Sequence, residues 1–365
     1  MNKILKHLEK VTGRKHTNAD LLNLVREYCD DSYKNDIPEM NRMTQINHNN
    51  VPYVQYAIHQ NQFFSVLINR IGIVVLKALA FENPLSPFKT ENFVYGETMQ
   101  EIYVGLAEAQ QYNPKDGISP FKYSDTDIKV FYHDINDERL FERTIEQDWT
   151  QKAFTNERSF DEFIDKMLTS LISSDTLAEF ERIKKVFSLA MTEINIAPSG
   201  SPEQKVTVPA MQFDFSAPDF VLNFNKELIK RSNLFAVPST TRFENAAGVP
   251  NATPVDEQYL IMSAEFSSEL DSMLANAFNM DKATVLARKI IIDEFPKFTG
   301  GGVLDGATPF AFLISKKSLI LKDKKFSMTN IYNPRGDFYN YFLHHHQLIS
   351  FSLLENSRIY YTKEA

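Results

Sequence analysis

Three groups of residues have types and spacings that could do chemistry. His344, His345 and His346 stand together, and imidazole nitrogens are frequent ligands of zinc and other transition metals. Their flanks, DFYNYFL and QLISFS, read as extended chain, in which successive side chains point to opposite faces. Only His344 and His346 can then share an ion, and no third ligand is visible in the sequence. Asp125, Thr126 and Asp127 form a DxD, an arrangement that can hold a divalent cation against a nucleotide diphosphate, since hard oxygen ligands suit that ion. No glycine-rich phosphate cradle follows it. Residues 299–303, TGGGV, could present backbone N–H groups to an anion, yet lack the lysine and hydroxyl residue of a nucleotide loop. Polar sheet positions, chance spacing and a flexible turn account for these three better than chemistry does. There is no GxSxG, HExxH, GxGxxG or paired-cysteine zinc pattern. The expectation is a protein without catalytic, cofactor or metal residues. The alternative reading is a cytoplasmic divalent-metal-dependent transferase or hydrolase using Asp125, Asp127 or the His344–His346 run.

The elements that would position such residues are organised around residues 159–193, the longest stretch with helical character. Phe160, Phe163, Ile164, Met167, Leu168, Leu171 and Ile172 recur at spacings of three and four, which lays one apolar stripe along a helix and predicts its burial. Ser159 with Glu162 has the form of a capping box, predicting the helix start. Thr176 with Glu179 repeats the form after SSD, so the stretch is one long helix with a weak joint or two helices in line. Leu177, Phe180, Ile183, Val186 and Phe187 continue the apolar face.

The totals bound the rest. A chain of 365 residues exceeds one ordinary core and implies two or three domains, or one with large excursions. With 43% hydrophobic and 24% charged residues it has the composition of a globular protein. Its 29 Phe and 15 Tyr suit large cores or extensive subunit contacts. A formal net charge of -8 argues against a protein that grips nucleic acid across a basic face. Cys29 is the single cysteine, so no internal disulfide forms, and it is expected as a half-buried small hydrophobe. No apolar run resembles a signal peptide or reaches the ~18 to 20 residues of a membrane span. A cytoplasmic protein without membrane contact is expected.

Along the chain, residues 1–50 carry two short amphipathic patterns, the second begun by Thr17 or Asn18 as a cap, and then polar text; they predict an arm lying on other surfaces. Residues 82–134 hold strand formers punctuated by Pro84, Pro87, Gly96, Pro114, Gly117 and Pro120. They predict a long two-stranded excursion that needs a neighbouring molecule to lie on, because an isolated hairpin is marginal in water. Between Asp125 and Asp148 acids outnumber bases by eight to three, leaving a solvated or charge-paired surface in which Arg139 and Arg143 are available for pairing. A Pro- and Ser-rich linker follows the long helix, then a mixed α/β unit with a strand at 257–263, a helix over 263–280 and a strand at 289–295. The C-terminal part predicts hairpins of an antiparallel sheet packed on the helix.

Several stretches resemble the major head proteins of the phage phi-29-like group, small short-tailed phages of Gram-positive bacteria. They are residues 69–89 (NRIGIVVLKALAFENPLSPFK), 96–112 (GETMQEIYVGLAEAQQY), 144–154 (TIEQDWTQKAF), 277–280 (AFNM) and 333–352 (NPRGDFYNYFLHHHQLISFS). The resemblance implies the α+β capsid fold of the Hong Kong 97 type. Its parts would be an N-terminal arm at 1–60, a first peripheral segment at 61–80 and an extended β-hairpin loop at 81–150. A spine helix at 151–197, a mixed α/β axial domain at 198–309 and a peripheral antiparallel sheet at 310–365 complete it. It also implies self-assembly through pentamers and hexamers into an icosahedral head enclosing double-stranded DNA without sequence-specific binding. A scaffolding protein and a portal would be partners, assembly would occur in the host cytoplasm, and the protein would reside in the virion. Lys89, Arg139, Arg143, Glu146, Asn333, Pro334, Arg335 and Gly336 are the residues expected at subunit contacts.

Overall fold

The computed structural model describes residues 18–40, 62, 66, 82–90, 96–107, 109, 126–146, 157–192, 194–196, 204–215, 217, 219–277, 288–299 and 304–363. In chain order the helices are α1 (Asn18–Tyr28), α2 (Asp31–Asp36), α3 (Glu157–Leu189), α4 (Phe220–Ala236) and α5 (Ala264–Ala277). The strands are β1 (Thr98–Val104), β2 (Ile128–Asp134), β3 (Asp137–Glu146), β4 (Ile194–Ile196), β5 (Gln204–Val206), β6 (Ala210–Gln212), β7 (Gln258–Ser263), β8 (Arg288–Ile292), β9 (Thr308–Ser315), β10 (Leu319–Asn333), β11 (Phe338–Phe351) and β12 (Ser357–Thr362). The chain divides into two compact units. The first takes residues 1–83, 137–181 and 323–347, the second 84–136, 182–322 and 348–365. No helix among the described residues is long and apolar enough to cross a membrane.

In the first unit, α3 runs unbroken from Glu157, so Ser159 lies inside its first turn and does not cap it. The expected joint at SSDT is also absent. The Thr176 hydroxyl donates to Ile172 O at 2.9 Å and the Ser174 hydroxyl to Ser170 O at 2.8 Å, which satisfies both hydroxyls within the helix instead of starting a new one. Leu171, Ile172 and Phe180 are buried, as the stripe predicts, but Leu177, expected on the same face, is 53% exposed. β3, β10 and β11 form a three-stranded sheet in the order β10-β11-β3, with β3 and β11 antiparallel from Phe338 opposite Glu146 to Gln347 opposite Asp137. Along β11 burial alternates: Tyr339, Tyr341, Leu343, His345 and Gln347 face inward while Asn340, Phe342, His344 and His346 are half-buried. α1 begins at Asn18 and buries Ala19, Leu22 and Val25. The Arg26 guanidinium donates to Ile37 O at 2.7 Å and Lys34 O at 2.9 Å, satisfying carbonyls left open at the end of α2.

The second unit is built on a five-stranded sheet, order β6-β12-β9-β7-β8, with β6–β12 and β7–β8 parallel and the two inner pairs antiparallel. The range 310–365 is therefore divided. β9 and β12 join strands of the 198–309 range, whereas β10 and β11 build the other sheet. The register between β12 and β9 passes from Tyr360–Ala311 to Tyr361–Pro309, so Phe310 is the extra residue of a bulge, which shifts the side-chain phase. Phe310 consequently faces Phe266, 4.5 Å between ring centroids, while Phe312 meets Phe187 at 4.9 Å and Phe295 at 4.8 Å. Phe220, Phe224, Leu228 and Phe235 of α4 and Phe266 and Leu270 of α5 close over Leu260, Met262, Leu313 and Tyr360. Each such side chain contributes about 1.5–3 kcal/mol by burial.

Candidate functional site

The hairpin of β1 and β2 lies in the second unit and is antiparallel, Ile102 opposite Val130 and Val104 opposite Ile128. It does not depend wholly on another molecule, as its sequence suggests, because one face is anchored on its own chain. The Lys129 ammonium donates to Ala247 O at 2.8 Å, and the His133 ring lies between Ser350 Oγ (2.7 Å) and Glu101 Oε2 (3.0 Å). At its base the Asn136 amide donates to Ile349 O at 2.7 Å and accepts from Ile349 N–H at 3.1 Å. The opposite face is bare. Period-two alternation puts Ile102 (59% exposed), Val104 (56%), Ile128 (56%) and Tyr132 (62%) on it together with Val130. Paired β-branched residues normally stabilise a sheet by packing under a cover. Here the described residues leave them facing solvent, and a contiguous exposed apolar patch is the mark of a contact surface.

A second constellation lies inside the first unit. His345 of β11 places Nδ1 2.8 Å from both carboxylate oxygens of Asp175 and Nε2 3.1 Å from Asp323 Oδ1. Arg139 of β3 pairs with Asp137 at 2.8 Å and Asp175 at 3.0 Å and donates to the Gln347 side-chain oxygen. The Gln347 amide nitrogen donates to Glu179 Oε2 at 2.5 Å and Asp323 Oδ1 at 2.6 Å, and Asn83 donates to Glu179 Oε1 at 3.2 Å. All of these side chains are buried. Ligand atoms of Glu179, Asp323 and His345 lie within 4.8 Å of one another, a spacing that a metal ion tolerates. The arrangement is nevertheless a hydrogen-bonded network and not a cation cage: an amide N–H donor already bridges the two carboxylates, and Arg139 holds the amide oxygen the other way.

The residues singled out in the sequence separate widely. His344 and His346 do share the outer face of β11, His344 Nε2 at 3.1 Å from Thr329 Oγ1 and His346 Nδ1 at 3.2 Å from Glu138 Oε1. The central His345, which the metal reading set aside, is the one in the polar cluster. Asp127 is exposed and its backbone carbonyl accepts from Gly105 N–H at 2.7 Å; Asp125 and residues 300–303 lie outside the described residues. Lys89 is half-buried, bridged to Leu321. Arg143 and Glu146 are exposed on β3. Asn333, Pro334, Arg335 and Gly336 form the exposed turn between β10 and β11, where Asn333 Oδ1 accepts from the N–H groups of Arg335 (3.0 Å) and Gly336 (3.3 Å). A Cβ on Gly336 would meet the Phe338 ring, which would have to turn aside to admit it. Cys29 is buried, and burial pushes its thiol up to about 11, as a small hydrophobe requires.

A long helix, a three-stranded sheet, a five-stranded α/β unit and an outlying hairpin together have the fold of a phage capsid subunit. A chain from the capsid structure of Staphylococcus phage Andhra shares it with a TM-score of 0.57 at 13% identity, over 78% of this chain and 85% of that one. The sequence carries the relation further: the model of the family described as Phi29-like phage major capsid protein matches residues 22–361, and the chain belongs to that family. The major capsid protein of Streptococcus phage Cp-1 is 50% identical over 364 residues, 100% of both chains, and that of Bacillus phage GA-1 is 30% identical over 302 residues, 82% of this chain and 60% of the other. It is a structural protein of a tailed-phage head that assembles into a shell, not an enzyme. Membership of this family sets the metal-dependent transferase or hydrolase aside.

Proposed function

We propose that the bare apolar face of the β1–β2 hairpin is the contact by which each copy lies on its neighbour, and that copies so joined close through pentamers and hexamers into an icosahedral head around double-stranded DNA. The observation that carries this reading is the row Ile102, Val104, Ile128, Val130 and Tyr132 on a hairpin whose other face is already anchored. A head-to-tail contact between unlike surfaces builds rings, and rings build a closed shell. Weak single contacts suffice because many act together. The three-stranded sheet with α3 is the peripheral domain. The five-stranded unit, including β9 and β12, is the axial domain; residues 81–136 are the extended loop, shorter than the expected 81–150 because β3 pairs with β11 in the three-stranded sheet; and residues 1–60 are the arm. Lys89, Arg143, Glu146 and the turn Asn333–Gly336 lie at or beside subunit contacts; Arg139, expected with them, is instead buried and engaged by Asp137, Asp175 and Gln347 of its own chain. The net charge of -8 keeps packed DNA from adhering to the wall, so the genome is enclosed without sequence-specific binding. A scaffolding protein and a portal are the assembly partners. Assembly takes place in the host cytoplasm without a membrane, and the product is the virion head.

The test is direct. Purified protein, with a scaffolding protein supplied, should give large closed particles by light scattering and negative-stain microscopy. Chains that stay single and fully ordered at high concentration would refute it.

A further inference from the structure

The polar cluster in the first unit gives one imidazole ring two anionic neighbours. His345 is 1% exposed, with Asp175 at Nδ1 and Asp323 at Nε2. A neutral imidazole carries a single N–H and can donate to one of the two; the other carboxylate would then face a lone pair at hydrogen-bond distance in a dry interior. Only the imidazolium donates from both nitrogens. The remaining described groups around the ring are Asp137 and Arg139 from β3, Glu179 from α3, Gln347 from β11 itself, and the Phe326 ring of β10, edge-on at 4.9 Å. Arg139 Nη2, which can only donate, lies 3.2 Å from His345 Nδ1, so it favours a lone pair on that nitrogen and also opposes a second cation. It is, however, already engaged by Asp137 and Asp175.

We propose that His345 is a protonated clamp at neutral pH that ties α3, through Asp175, to β10, through Asp323, and that losing its proton in alkali opens this joint. Burial works against the charged ring, but the hydrogen bonds and charges of Asp175 and Asp323 outweigh it and raise its pKa above the ordinary 6.5. The sign follows from linkage. A group with a raised folded pKa contributes stability that is fully present below its unfolded value and is lost as pH rises through the folded one. The joint is thus closed in acid and at neutrality and weakens on the alkaline side. This is opposite to a buried neutral histidine, which destabilises as pH falls.

Hydrogen–deuterium exchange at the imidazole C2 position, followed by peptide mass spectrometry on the full chain, reads the His345 midpoint with no substitution. The expected midpoint lies above neutral pH; one at or below it overturns the proposal. Thermal unfolding of the wild type and His345→Gln across about pH 6 to about pH 10 adds an energetic reading. For each pH unit by which the exchange midpoint is raised, the wild type's advantage in its folding equilibrium should fall tenfold across that window. An advantage independent of pH refutes the clamp. Should His345→Gln fail to fold, Asp323→Asn takes its place, and it must lower the exchange midpoint of His345. A divalent ion that purifies with the wild type and is lost in Asp323→Asn would also overturn the proposal, because a ligating Nε2 cannot carry the proton.

Discussion

Replacing both Ile102 and Val104 by threonine should weaken assembly about 30-fold while leaving the single chain intact. Threonine keeps the β-branched shape that suits a strand, so the hairpin and its anchors at Lys129 and His133 are retained. Full burial of an isoleucine or valine side chain is worth about 1.5–3 kcal/mol. These two are 59% and 56% exposed in the single chain, so a neighbour that covers them supplies roughly half of that, about 1 kcal/mol each. Threonine forfeits this gain and asks a hydroxyl to be buried in its place. A combined loss of about 2 kcal/mol per hairpin corresponds to a factor of about 30 in the equilibrium of that contact. Each copy carries one β1–β2 hairpin, and the concentration at which shells appear should rise by the same order. Light scattering over a concentration series, with and without scaffolding protein, measures that onset. Thermal melting of unassembled material is the control, since surface substitutions usually change stability by less than about 0.5 kcal/mol. An onset shifted by less than about threefold, or a melting temperature lowered by several degrees, would show that this face is not covered by a neighbour or belongs to the chain's own core.

Two further expectations concern the chain before assembly. Phe266 is 1% exposed between Phe310 and Phe224, at 4.5 and 5.0 Å; Phe266→Ala should cost about 3–5 kcal/mol in urea unfolding of unassembled chains, and a loss below about 1 kcal/mol would mean the aromatic cluster is loosely packed. Cys29 should resist thiol reagents at about pH 8, because burial first and the Asp30 charge second raise its thiol to about 11 and only the thiolate reacts. Labelling should track unfolding by denaturant, and rapid labelling of the native chain would contradict its burial.

What was legible in the sequence followed from periodicity. Spacings of three and four marked α3 and α5, and alternation put His344 and His346 on one face of β11. What was missed depended on distance along the chain. His345 gathers Asp175 from 170 residues away and Asp323 from 22, and Arg139 reaches Gln347 across 208; no local pattern announces such a set. Position by position, the same alternation that exposed the outer histidines required the central one to point inward, and a buried histidine demands polar company. That signal was present in the sequence at His345 and on β3, where Asp137 and Arg139 alternate with exposed Glu138 and Leu140. The acidic surplus of that segment concealed it. The cap pattern at Thr176 misled for a different reason: a hydroxyl three residues before a glutamate suits a helix interior equally well when the carbonyl four residues earlier accepts from it, as Ile172 O does.

The two polar and apolar surpluses of the chain act in opposite ways. A buried ionic cluster adds little net stability, since desolvation consumes most of the attraction, yet removing one partner costs about 3–5 kcal/mol. Asp175, Asp323, Arg139 and His345 therefore select one arrangement of α3 on its sheet more than they strengthen it, and they do so within a single chain. The hairpin's apolar row contributes nothing until covered, and then contributes strength with little selectivity of its own. A subunit that must join many copies without aggregating needs both: an interior that admits one geometry, so that every copy presents the same surface, and a contact weak enough to be corrected until the surrounding contacts close.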